Sequence, residues 1–142
     1  MPKLAQIVTQ DVEYPEHWFQ PHDLMVFVQS SKFSQRWDEL GLRDNDLQAL
    51  EVAIMAQPDG APVIKGTGGL RKLRFTSSRL KTGKRGGLRI CYVVFEEYSV
   101  VHLLVVYEKV EQDDLSPAAK RGIAIKIQEI KSELAAGKSL EE

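Results

Sequence analysis

Two apolar runs do most to decide what this chain can fold into. Residues 89–95 read RICYVVF and residues 100–107 read VVHLLVVY, with only EEYS between them. β-Branched and aromatic residues at that density favour extended chain, and the short acidic connection makes the runs neighbouring strands. Strands so uniformly apolar belong inside a sheet, covered on both faces or heavily on one. The rest of the chain has to supply that cover.

It offers one more alternating strand, one short apolar strand and three helices. LMVFVQ (24–29) reads as a first strand. Ser30 or Ser31 can then cap a helix carrying Phe33, Trp37 and Leu40, closed by Gly41. A second helix starts at Asp44 or Asn45, buries Leu47, Leu50 and Ile54, and stops before QPDG at 57–60. In residues 70–75, Leu73 and Phe75 point one way while Lys72 and Arg74 point the other. SSRLKTGKRGG (77–87) reads as a hairpin connection. Ser116-Pro117 opens a last helix with Ile123, Ile127, Ile130 and Leu134 in one stripe. The order β-α-α-β-β-β-α predicts an α+β fold, a small antiparallel sheet with helices packed on one side. With 142 residues, one domain over 24–142 is expected, preceded by an extension over 1–23 that shows no clear period. No apolar run approaches the ~20 residues of a membrane span, and the one cysteine, Cys91, cannot form an internal disulfide, so a reducing cytoplasm is the expected setting.

The formal net charge of −1 hides a polarised chain. Between Gly60 and Phe95 stand nine cations and no acid: Lys65, Arg71, Lys72, Arg74, Arg79, Lys81, Lys84, Arg85 and Arg89. Ordinary surfaces intersperse both signs, so an acid-free quarter is the footprint expected for a phosphate-bearing partner. Against this stands the plainer reading of a solvated basic face.

Several chemistries can be set aside. The glycine-rich GTGGLRKLRF fails the Walker and dinucleotide patterns, since Arg71 occupies the slot of the required second glycine. His17, His22 and His102 are scattered, and no paired-cysteine or HExxH spacing exists, so neither a metal nor a cofactor is expected. Cys91 lies in an apolar strand and reads as an inert core thiol; His102 reads as a core or edge histidine. What remains is arginine and lysine. Lys72 and Arg74 share a strand face, Arg89 opens the next strand near the Arg74 end of its neighbour, and Lys109 follows Tyr107 by two positions. Arginine forks hold nonbridging phosphate oxygens, and a desolvated lysine among cations can act as a base. A pure binding patch would look similar.

GTGGLRKLRF, GKRGGLRICY and LLVVYEKVEQDDLS together resemble the HigB-type branch of the RelE/ParE toxin superfamily, over roughly residues 24–136. The resemblance implies a RelE-like, microbial-RNase-like domain, the toxin of a type II toxin–antitoxin pair. It would cut mRNA at the 70S ribosome by 2′-OH attack, without metal or cofactor, and be neutralised by a HigA-like helix-turn-helix antitoxin. By position, it implies catalytic roles for Lys72, Arg74, Arg89 and Lys109, and RNA-binding roles for Arg71, Lys81, Lys84, Arg85 and Tyr107. Three features depart from the pattern: DDLS stands where some members carry an aromatic residue, the loop TSSRLKTGKRGG (76–87) is a little long, and the 23-residue leader is unusual. A non-catalytic or gyrase-directed relative, or a basic RNA-binding module, uses the same cations and stays open as an alternative.

Overall fold

The structure is a computed structural model describing residues 24–77, 87–112 and 114–137. The expected extension over 1–23 therefore lies outside the described residues, as do Lys81, Lys84 and Arg85.

Strand β1 (Val26–Gln29) leads into helices α1 (Ser31–Glu39) and α2 (Asp44–Ala56). Strands β2 (Arg71–Phe75), β3 (Leu88–Phe95) and β4 (Val100–Glu108) follow, and helix α3 (Pro117–Ala135) ends the order. The capping residues do what their chemistry dictates. Ser30 Oγ accepts from Phe33 N–H at 3.1 Å, which starts α1. Gly41, at φ +79°, ends it in the left-handed region where a side chain would strain. Ser116 caps α3 through Ala119 N–H at 3.1 Å, with Pro117 in its first turn.

The sheet runs β1-β4-β3-β2. The β2-β3-β4 meander is antiparallel, but β1 pairs with β4 in parallel, Val26 opposite Val100. The expected antiparallel sheet is thus mixed. A short apolar run predicts a strand but not the direction of its partner, and the choice was made by the two-helix excursion between β1 and β2.

Helices also cover both faces rather than one. Phe33, Trp37, Leu50 and Ile54 of α1 and α2 pack on Phe75, Ile90, Tyr92 and Leu103. On the other face, Ile127, Ile130 and Leu134 of α3 pack on Cys91, Val93, Phe95 and Leu104. Alternate residues of β3 enter the two cores, which is why its sequence lacks the polar-apolar alternation of a half-exposed strand. Each large apolar side chain so buried contributes about 1.5–3 kcal/mol, and the two cores together fix the sheet between its helices. Among the described residues no helix is long and apolar enough to cross a membrane.

Candidate nucleic-acid interface

The register of the meander brings the cations together. Leu73 and Phe75 join the core under α1 and α2, so Lys72 and Arg74 project from the face that carries α3. Arg74 is the direct cross-strand partner of Arg89, and Arg89 is the partner of Tyr107. Directly opposite side chains in an antiparallel pair have Cβ atoms about 4.5–5.5 Å apart, and like charges so placed repel. Two opposed arginines therefore concentrate positive charge on this face, a placement suited to an anion. Arg74 is exposed, whereas Arg89 is only 7% exposed and Tyr107 only 4%. The row thus grades from solvent into the protein. Arg89 also donates from Nη1 to Leu88 O at 3.3 Å.

Tyr107 reaches this face through an irregularity that alternation alone does not reveal. Cys91 pairs with Val105 but Tyr92 pairs with Leu103, which leaves one extra residue, Leu104, on β4. Leu104 and Val105 consequently both pack toward α3. The bulge resets the alternation so that Val106 enters the other core and Tyr107 shares the face of Arg89. Lys109, two positions on, follows Tyr107 just past the strand end.

Lys109 is partly buried, and its N–H donates to Gly87 O at 3.0 Å, tying its turn to the start of β3. Glu111 accepts from Glu108 N–H and from the Arg36 guanidinium, which fastens the same turn to α1. Lys72 lies two residues from Arg74, opposite Cys91, with its ammonium 3.7 Å from the Asp114 carboxylate. Asp114 also meets Lys120 at 3.2 Å. The Leu115 N–H, aided by Lys120 and Lys72, holds the Asp114 carboxyl below the usual carboxylate range. A phosphate approaching Lys72 must share or displace that carboxylate. Sequence reading passed over Asp114, although its place two residues before a helix cap made it a natural anchor for a nearby cation.

Arg71 does not join the row. It projects to the opposite face, where Nη1 donates to Ala61 O at 2.7 Å and Asp59 O at 3.2 Å, and Nη2 lies 3.4 Å from the Asp59 carboxylate. Those bonds pin the loop after α2 to the sheet edge. Cys91 is fully buried, and burial pushes its thiol up to about 12, as expected of a core thiol rather than a nucleophile. His102 is buried edge-on to Phe95, with centroids 5.8 Å apart.

A concavity lies at the other end of the sheet, an open groove of about 910 Å³ between the β3–β4 turn, the loop before β2 and α3. Asp59, Glu96, Glu97 and Tyr98 line it, with Arg71 and Lys131. A hydrogen bond with Asp59 and its charge raise the Glu96 carboxyl above the usual range. The groove's acids suit a phosphodiester poorly. The opposed arginines are the better candidate on charge.

No family model matches the chain. Among solved structures it is similar to the E. coli toxin RelE, seen in the free state as a double arginine-to-alanine mutant. The match has 18% identity and a TM-score of 0.50, and covers 73% of this chain and 97% of that one. At that identity the likeness is one of architecture: the chain has a RelE-like α+β fold, with a four-stranded mixed sheet and three helices.

Proposed function

We propose that the chain is the toxin of a toxin–antitoxin pair, an endoribonuclease that cuts mRNA on the 70S ribosome. The supporting observation is the three-strand row Arg74–Arg89–Tyr107, in which two like charges face each other across a ladder beside a phenol. A scissile phosphate beside the guanidinium groups would accept from both in charge-assisted forks. The RNA's own 2′-OH attacks the adjacent phosphorus and the bond to the 5′-oxygen breaks, leaving a 2′,3′-cyclic phosphate and a 5′-hydroxyl. Arg74 and Arg89 stabilise charge developing on the nonbridging oxygens, where one donor is typically worth about 10²–10³ in rate. Lys72 and Lys109 flank the row and serve proton transfer or further charge stabilisation. Lys81, Lys84 and Arg85 extend the grip along RNA or ribosomal RNA. A HigA-like antitoxin and a cytoplasmic setting complete the reading, which places the chain in the HigB-type branch.

The test is incubation of the purified protein with mRNA on programmed ribosomes. The expected result is cleavage with fragments ending in 2′,3′-cyclic phosphates. Ribosome binding without any cleavage would leave a binding-only relative, and neither activity would remove the ribosome from the account.

A further inference from the structure

Asp46 is a carboxylate with no exposed surface, on the first turn of α2. Its Oδ2 accepts from Arg43 N–H at 2.8 Å, closing the helix start. Capping does not require such depth, because an acid at that helix position can satisfy the same amide from the surface. Burial of a carboxylate is costly unless its oxygens are bonded. The other oxygen shows what the burial achieves: Oδ1 accepts from Ser77 Oγ at 2.8 Å, across 31 positions of sequence. Ser77 is itself only 1% exposed and lies two residues past the end of β2.

That contact sits at the end of the ladder that matters. The β2–β3 pairing finishes at Phe75 opposite Leu88, and the pair before it is Arg74 opposite Arg89. The facing side of the stem is Gly87, at φ +57°, where a Cβ would lie 2.8 Å from Phe75 O. Gly87 O in turn accepts from Lys109 N–H. The α2 start, the hairpin stem and the Lys109 turn thus converge within a few residues of the arginine row.

We propose that Asp46 and Ser77 are positioning residues, a buried clamp that keeps the end of the β2–β3 ladder from fraying and so holds Arg74 and Arg89 in register for the RNA phosphate. This rests on the ribonuclease reading for its purpose, but not for its existence. The clamp touches no substrate. It acts by fixing the backbone from which the two guanidinium groups are presented, and a misplacement of about 1 Å can cost on the order of 10²-fold in rate.

The experiment compares wild type, Ser77→Ala and Ser77→Thr by amide hydrogen exchange and by single-turnover cleavage on programmed ribosomes. In Ser77→Ala, exchange at residues 73–75 and 88–90 should accelerate at least about tenfold while residues 101–106 keep their protection, the mark of local rather than global opening. Cleavage should slow about tenfold or more with ribosome association unchanged, and Ser77→Thr, which keeps the hydroxyl, should recover both. Unchanged exchange at 73–75, uniform acceleration across the sheet, or equal loss in both variants would overturn the clamp. Local opening with undiminished cleavage would overturn its service to the site. If wild type does not cleave at all, the ribonuclease reading fails, while the exchange contrast still decides whether the clamp exists.

Discussion

Arg71 and Arg74 stand three residues apart on one short strand, and their environments differ in every respect. Arg71 points toward the acid-lined end of the sheet, where it bonds two carbonyls and pairs with the Asp59 carboxylate. Arg74 points to the other face, exposed and opposite a second arginine. One cation has found its anions within the protein; the other faces a like charge and leaves room for an external one. The lesson is that a run of cations in sequence says little until each is matched with the groups it meets. Asp59, just outside the acid-free stretch, converts one member of the run into a structural brace.

The largest effect that would sharpen this contrast is on catalysis. Arg89→Ala should slow single-turnover cleavage about 10²–10³-fold, the usual worth of a donor aimed at developing charge. Because Arg89 is nearly buried, its thermal stability should be measured beside the rate; a folded variant that cleaves normally would break the assignment. Next comes the stem. Gly87→Ala forces a side chain into the left-handed region and against Phe75 O, and should destabilise the protein by about 1–3 kcal/mol in denaturant titration. An unchanged midpoint would show that the stem has more room than its geometry indicates.

Arg71→Ala should do the reverse of the Arg89 change. Losing bonds to two carbonyls at a partly exposed site should cost about 1–2 kcal/mol of stability while leaving the cleavage rate of the folded protein intact. A rate loss comparable to that of Arg89→Ala would erase the distinction between the two ends.

Much of the architecture was legible in the sequence because it was written in local chemistry. Ser30, Gly41 and Ser116-Pro117 are capping signals that act over a single turn. The apolar density of β3 and β4 announced central strands, and burial on both faces was one of its two permitted outcomes. What stayed hidden depends on partners distant in the chain. Nothing in VFVQ reveals that β1 would lie parallel to β4. No alternation rule foretells the extra residue at Leu104 that turns Tyr107 toward Arg89. Nor could spacing show that Asp114 would engage Lys72, or that Asp46 would reach Ser77. The pairing of Arg74 with Arg89, by contrast, was inferable from a hairpin with strands at those positions, and the register places them directly opposite.

Two smaller effects probe the ground under the cationic row. Cys91 lies opposite Lys72 in the ladder, with its thiol raised by burial to about 12 from an ordinary 9.0. The folded state therefore keeps a proton that the unfolded state loses first. The resulting stability is present below about pH 9 and drains away as pH rises toward about 12. Alkylation at pH 8.5 should accordingly be negligible until the protein is unfolded; rapid modification of the folded protein would show that the core beneath the row opens. The smallest effect concerns the Lys72–Asp114 pair. Asp114→Asn frees the ammonium for phosphate, so the slope of log affinity for RNA against log salt should steepen by up to about 0.7. An unchanged slope would mean that Lys72 does not meet the RNA backbone.

The most direct test of the central claim uses Arg74, because it is exposed and its removal disturbs no core. Single-turnover cleavage of mRNA on programmed ribosomes by Arg74→Ala should be measured beside ribosome pelleting, with Arg71→Ala as the matched control on the same strand. The account predicts that Arg74→Ala loses about 10²–10³ in rate while still pelleting with ribosomes, and that Arg71→Ala cleaves as wild type does. Equal loss of rate and binding in Arg74→Ala, or an Arg71→Ala protein that is folded but equally slow, would contradict it.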